Sequence, residues 1–313
     1  MSRTRNIIVT GGCGFIGTHL CHRLVREGAC VTIIDDLSSG VAARKPKQAT
    51  LIEATVLDEN VVRKALAGAD AVVHLAAIAS VPVCQTHPFE SHIVNQSAFI
   101  RFLAFAGAAK KVGRDLPIVF ASSAAVYGDT GDVPIIAEDA PKAPISNYGA
   151  DKLGLEIQAH AAHAMWGVSS IGLRFFNVFG PGQTASSPYS GVISRFLADI
   201  RTSGQATIFG DGLQSRDFIH VDDVVEALVL SLRNASGRCA AYNVCTGVET
   251  SVFALHAAIS KALNVEPKVE LRPARPGDIR RSVGDGAKAR HELRFAARRS
   301  LGEGLLALAG NMT

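Results

Sequence analysis

Ile7-Ile8-Val9 is a short β-branched run that stops at a glycine cluster, which predicts a buried strand. Beyond the glycines, Ile16, Leu20, Leu24 and Val25 recur at helical spacing, and that pattern ends near Gly28. Val31-Thr32-Ile33-Ile34 predicts the next strand, closed by Asp35-Asp36. Ala71–Leu75 and Pro117–Phe120 repeat the theme, with helical stretches at 60–67 and 93–111, and Ser169–Phe176 reads as one more strand. Strands that are apolar throughout and alternate with helices lie in a parallel sheet covered on both faces. The expected fold class is therefore α/β, a doubly wound parallel sheet. After Gly180-Pro181-Gly182 the rhythm becomes irregular, with turns at Ser186-Ser187-Pro188 and Gly210-Asp211-Gly212. Short strands are expected at Ala206–Phe209, Ala241–Val244 and Val269–Leu271, with helices at 191–203, 222–233 and 252–263. The expected plan is a dinucleotide fold over 1–180 and a smaller α/β substrate-binding part over 181–313, with a cleft between them. That boundary is soft, because segments such as 174–180 are expected to cross it.

Composition narrows the partners. Of 313 residues 48% are apolar and 19% charged, and a chain this long buries enough surface to fold without a metal or disulfide. A formal charge of +4 is too weak for a nucleic-acid binder. The cysteines Cys13, Cys21, Cys30, Cys84, Cys239 and Cys245 form no CxxC pair and lack histidines at zinc-finger spacing. They read as small buried hydrophobes in a reducing compartment. Only Met1–Arg5 precede the first apolar run, leaving no room for a signal peptide, and no apolar stretch has the length of a membrane span. A soluble cytoplasmic protein with no metal is expected.

Gly11, Gly14 and Gly17 make G-x-x-G-x-x-G directly after a strand and at the start of a helix. Glycines permit the tight turn and let backbone N–H groups approach a diphosphate at the helix N-terminus, the Rossmann arrangement. Phe15 and Ile16 lie inside this loop. Asp35 ends the next strand and is placed to accept hydrogen bonds from a ribose diol, which favours NAD over NADP; Asp36 is the alternative ligand.

Tyr148 and Lys152 are four apart, so on a helix the phenol and the ammonium meet one ligand. A nearby cation is expected to lower the tyrosine's pKa from about 10 and make it a usable proton acceptor. Ser123 follows a strand at its C-terminal end, where open α/β sheets place ligands, and its hydroxyl can relay a proton.

With these residues in order, the chain resembles an extended short-chain dehydrogenase/reductase and, within that superfamily, the UDP-hexose 4-epimerases. The resemblance is carried by Thr10–Gly17, Asp35–Gly40, His74–Ala77, Ser122–Gly128, Tyr148–Lys152, Leu173–Pro181, Ser215–Asp223 and Arg275–Asp278, nearly the whole chain. It implies a catalytic Ser123–Tyr148–Lys152 set and NAD contacts at Leu75, Ala76 and Ala77. It also implies that Asn177, Arg216 and Arg275 hold the UDP-sugar diphosphate, that Phe209 lies on the uracil, and that two chains pair through the helices near 93–111 and 148–166. Arginine forks match phosphate oxygens, while the other arginines between Arg272 and Arg299 read as solvated surface. Cys13, Thr55 and Asp151 depart from the family pattern. Cys13 stands where alanine is usual and Thr55 where many relatives face the adenine with an aspartate, a contact Asp58 would have to replace. Asp151 replaces the commoner serine and is expected to point along the helix surface, away from the site.

The implied reaction is reversible C4 epimerisation of a UDP-hexose through a 4-keto sugar. Ser282 falls where relatives restricted to non-acetylated hexoses carry tyrosine and those that accept N-acetylated ones carry a small residue. That implies turnover of UDP-GlcNAc/UDP-GalNAc as well as UDP-Glc/UDP-Gal. A 4,6-dehydratase needs an acid and a base where this chain has Ala124 and Ala125, which transfer no proton. A 4-reductase that releases its cofactor, or a non-catalytic nucleotide sensor, are the competing readings.

Overall fold

The computed structural model describes residues 5–131, 133–183, 191–274 and 277–310. In chain order the strands are β1 (Asn6–Thr10), β2 (Cys30–Asp35), β3 (Thr50–Glu53), β4 (Ala71–His74), β5 (Ile118–Ser123), β6 (Ser170–Phe175), β7 (Asn177–Phe179), β8 (Ala206–Phe209), β9 (Ser215–His220), β10 (Cys239–Val244), β11 (Glu249–Ser251), β12 (Val269–Arg272) and β13 (Arg281–Ser282). The α-helices are α1 (Phe15–Arg26), α2 (Glu59–Ala67), α3 (Val81–Thr86), α4 (Pro88–His92), α5 (Ala98–Lys111), α6 (Asn147–Trp166), α7 (Val192–Ser203), α8 (Val221–Asn234), α9 (Val252–Leu263), α10 (Ala287–Leu293) and α11 (Leu301–Gly310).

Seven strands form a parallel sheet in the order β10-β6-β5-β4-β1-β2-β3. The chain winds outward from β1 through β2 and β3, then reverses through β4, β5 and β6. The β1/β4 junction is thus the switch point, and ligands of open α/β sheets sit outside the carboxyl ends of the strands there. One face of the sheet is covered by α1 and α8, the other by α2, α5 and α6. Val9, Ile33 and Val73 point to the first face, and Ile8, Ile34 and Val72 to the second, as the two-residue strand period requires.

The seventh strand, β10, comes from within 181–313 and pairs with β6 along its whole length. The rest of that stretch builds a separate core from α7, β8, α9 and α11 around Phe196, Ile208, Phe218 and Leu255. There β8 pairs with β12, and β9 joins β7, β11 and β13. Strand β9 escapes a periodicity reading because Ser215-Arg216-Asp217 make it polar. Asp217 is nonetheless fully buried, its carboxylate accepting from the N–H groups of Thr246, Gly247 and Gly284 and from the Thr246 hydroxyl. Four cysteines are buried as expected, but Cys30 is exposed at the start of β2 and Cys239 is half-buried. The expected turn at 186–188 lies outside the described residues. Among the described residues no helix is long and apolar enough to cross a membrane.

Candidate active site

The glycine loop joins β1 to α1 at the switch point. Gly11 has φ +68°, a conformation that favours glycine, and a Cβ there would lie 2.7 Å from the Ala76 nitrogen. A Cβ on Gly17 would lie 2.1 Å from the Gly11 carbonyl oxygen, so helix and loop touch backbone to backbone. A Cβ on Gly14 would meet only that same oxygen, at 3.2 Å, and otherwise open space. Gly14 caps α1 without a side-chain hydrogen bond, and the first turn holds no acidic residue. Free N–H groups at a helix start, with room for close approach, fit a diphosphate.

Two side chains brace this loop. The Thr10 hydroxyl accepts from the Ala76 N–H at 3.2 Å and is hydrogen-bonded to His74 Nδ1 at 2.9 Å. Burial pushes His74 down to about 3, so it stays neutral. Asp35 is buried, its two oxygens accepting from the N–H groups of Cys13 and Leu37, both at 2.9 Å, and burial raises its pKa. Asp36 is exposed and closes a local turn onto Ser38, so Asp35 is the acid brought to the loop. The Asp58 carboxylate is used as the cap of α2, bonding the N–H groups of Asn60 and Val61.

Ser123, Tyr148 and Lys152 converge because α6 packs onto the turn that follows β5. A Cβ at Gly149 would lie 2.5 Å from the Ala125 carbonyl oxygen, so this approach needs glycine. Ser146 caps α6 through the Gly149 N–H at 3.1 Å. Lys152 is buried; its Nζ donates to the Ala121 carbonyl at 2.9 Å and stands 5.7 Å from the Tyr148 ring centre. Burial pulls Lys152 down to about 8 and pushes the half-buried Tyr148 up to about 12, although the Ser123 hydroxyl favours the phenolate. The expected lowering of the tyrosine by its lysine is not met, because desolvation of the phenolate outweighs the distant cation. Asp151 also departs from expectation. It is buried and bonded to His92 rather than pointing along the helix surface.

A cavity of about 410 Å³ lies between Asn177 and side chains of the 181–313 stretch. Asn177, Phe209 and Arg216 all line it. Arg216 donates to the Ser215 and Ile279 carbonyls and to Asp278 at 2.6 Å, and burial lowers its pKa. Ser282 is nearly buried and sits in register with Arg216 across the β13–β9 pair, hence on the same side of that sheet. Arg275 lies outside the described residues. Ser123, Tyr148 and Lys152 do not line this cavity, but Phe175 pairs with Ser123 across the sheet, and two residues later Asn177 stands on its wall.

Sequence reading missed Arg195 and Asp199, four apart on α7, and also Gln214, Arg272 and Asp278 on the same wall. The i, i+4 spacing of opposite charges on one helix was the available signal for the first two. Arg272 lines the cavity while paired with Glu270; Arg280 and Arg299 are exposed and Arg281 half-buried, each paired with an acid, so this basic run is solvated surface for the most part, as expected.

A switch-point glycine loop, an acid ending β2 and a Tyr-x-x-x-Lys helix start beside a serine define an extended short-chain dehydrogenase/reductase. The family model described as "NAD dependent epimerase/dehydratase family" matches residues 7–245. The UDP-glucose 4-epimerase of Mycolicibacterium smegmatis is 34% identical over 304 residues, covering 95% of each chain. Among solved structures, the UDP-glucose 4-epimerase of Thermotoga maritima with UDP-glucose is 31% identical, with TM-score 0.92 and 98% of each chain covered. The UDP-N-acetylglucosamine 4-epimerase of Methanobrevibacter ruminantium, in complex with UDP-N-acetylmuramic acid, is 33% identical, with TM-score 0.90, covering 99% of this chain and 100% of that one. The chain belongs to the NAD dependent epimerase/dehydratase family and is an NAD-using enzyme.

Proposed function

We propose that the chain inverts UDP-hexoses at C4 and accepts N-acetylated hexoses as well as UDP-glucose and UDP-galactose. The glycine loop, Asp35 and the Leu75–Ala77 segment would hold NAD, which when bound would supply reversible hydride acceptance. Tyr148 accepts the C4 hydroxyl proton as hydride leaves C4, Ser123 relays that proton, and Lys152 holds the cofactor's ribose and favours the phenolate. The 4-keto sugar would turn in the cleft and Tyr148 would return the proton to the C4 oxygen, so that with reversible hydride chemistry no net redox change would occur. Phe209 stacks on the uracil, and Asn177, Arg216 and Arg275 hold the diphosphate. Retention of Ala124 and Ala125 beside Ser123 speaks against dehydration, which needs an acid and a base there. Ile100, Ile157 and Met165 leave apolar surface on α5 and α6, which supports pairing of two chains through those helices.

The observation that carries the acetylated substrates is Ser282, small, nearly buried and in register with Arg216. A phenol at that position would fill the volume an acetamido group sweeps as the keto sugar turns, at a cost of about 1–3 kcal/mol, roughly 5- to 150-fold in preference. Incubation with UDP-galactose and UDP-GalNAc without added cofactor tests this reading. Both should be converted, and Ser282→Tyr should lose the acetylated reaction alone. Wild-type protein that converts UDP-galactose and leaves UDP-GalNAc untouched refutes the substrate range.

A further inference from the structure

Two turns along α6 from Tyr148, on the same face, stands a carboxylate that the reaction just described leaves unused. Glu156 follows Lys152 by four residues, as Lys152 follows Tyr148, and its side chain is 11% exposed. The buried Arg174 of β6 meets it with a fork, Nε donating to Oε1 at 2.9 Å and Nη2 to Oε2 at 2.7 Å. The buried Ser122 hydroxyl donates to the same Oε1 at 2.5 Å. Ser122 and Arg174 are partners across the β5–β6 pair, and Ser122 immediately precedes Ser123.

Arg174 also holds the far end of the turn that carries Ser123. Its Nη1 donates to the Tyr127 hydroxyl at 2.7 Å and to the Glu138 carbonyl at 2.9 Å. The Tyr127 hydroxyl in turn donates to Asn243 Oδ1 of β10 at 2.7 Å. Glu156 is thus tied to both sides of Ser123, at Ser122 directly and at Tyr127 through Arg174. Three contacts join α6 to this turn: Gly149 against the Ala125 carbonyl, Lys152 on the Ala121 carbonyl, and Glu156 on Ser122. The first is a steric stop, and the second uses the ammonium that the reaction needs. Of the three, Glu156 fastens the helix without serving the chemistry. A buried ion pair adds little stability over apolar side chains of similar volume, because desolvation of both charges offsets their attraction. What the pair adds is direction, since a guanidinium fork and a carboxylate meet in one geometry.

We propose that Glu156 is a positioning residue which, through Ser122 and Arg174, sets the placement of Tyr148 and Lys152 against Ser123. The proposal rests on the roles given to those three residues above. A misplacement of about 1 Å at a reacting group lowers a rate by about 100-fold, so a loosened helix shows itself in turnover before it shows itself in folding.

Ser122→Ala removes the bond between strand and helix and leaves the Arg174 fork in place, so the fold should hold. Glu156→Leu combined with Arg174→Met replaces the pair by apolar groups, and Ser122→Ala decides alone if the double variant does not fold. Turnover of UDP-galactose, bound NAD after desalting, and hydrogen exchange of the α6 amides by mass spectrometry are read on the full chain as purified. In either variant kcat is expected to fall by about 10- to 100-fold, with KM and bound NAD within about twofold of wild type. Exchange of the amides of 147–153 is expected to quicken by about tenfold. A folded variant with wild-type kcat overturns the proposal. So does a fall in kcat matched by an equal rise in KM or loss of NAD, which a generally loosened fold would give. Wild-type protein that leaves UDP-galactose unconverted overturns the C4 reading instead, and amide exchange then decides the placement by itself: faster exchange in α6 supports it and unchanged exchange overturns it.

Discussion

Adding one methyl group at Gly17 tests the cofactor loop. The new Cβ would lie 2.1 Å from the Gly11 oxygen, 2.7 Å from Gly12 Cα and 2.9 Å from the Gly11 carbonyl carbon. All three are backbone atoms, so no side chain can rotate away, and the loop must retreat by about 1 Å to reach ordinary contact. Overpacking of this kind costs about 1–3 kcal/mol, with the upper end expected where backbone meets backbone. Against a total stability of about 5–15 kcal/mol the fold survives, with a Tm lower by roughly 5 °C. The N–H groups of the loop move with it, and NAD should bind at least about 100-fold more weakly, or about 2.7 kcal/mol. Gly14→Ala separates the two effects. Its Cβ meets only the Gly11 oxygen, at 3.2 Å, so the fold should tolerate it while the methyl group occupies the space a diphosphate needs. Gly302→Ala in α11 is the control, with no atom within 4 Å, and should raise stability by about 0.5–1 kcal/mol. Bound NAD after desalting, quantified by chromatography, and Tm by differential scanning fluorimetry are the measurements. Gly17→Ala protein that keeps stoichiometric NAD and melts with wild type would refute the reasoning, and full NAD retention in Gly14→Ala would show that the space above Gly14 is not the cradle.

Tyr148→Phe should fold normally and lower turnover of UDP-galactose by roughly 100-fold or more, and near-normal turnover removes it as proton acceptor. Asp35→Ala should weaken NAD more than NADP in a titration of cofactor-stripped protein, because a carboxylate repels a 2′-phosphate. For stability against pH, Lys152 is protonated in both folded and unfolded chains below pH 8, where its burial costs about 3 kcal/mol at most. Between pH 8 and 10.5 the folded chain sheds that proton first, so this contribution makes stability rise with pH across that window. Above pH 10 the half-buried Tyr148, pushed to about 12, opposes it, because the unfolded phenol ionises first. Lys152→Met should therefore gain more stability over wild type at pH 7 than at pH 10 in denaturant titrations; equal gains at both values contradict the assigned burial.

The sheet was legible because its strands are buried on both faces and read as unbroken apolar runs, and β1, β2, β4, β5 and β6 lie where those runs predict them. Strand β3, Thr50-Leu51-Ile52-Glu53, is a half-exposed edge and leaves no such run. That Ser123, Tyr148 and Lys152 come together was legible because their placement follows local rules, a helical i, i+4 pair and a strand end. The cavity wall was not, since Arg216 meets Asp278 across 62 residues and no local period encodes that distance. Electrostatics is the harder case. Spacing brings Tyr148 and Lys152 together, yet it cannot weigh the cation's attraction against the desolvation of both groups, which depends on what α3, β4 and β5 pack around them. Asp151 shows the same limit from the other side. In the sequence it is one acidic residue in a helix that is otherwise exposed every few positions, and only the approach of His92 and Asn95 turns it into a buried charge. Identical motifs can therefore hold differently tuned tyrosine–lysine pairs, and the difference lies in neighbours that the motif does not contain.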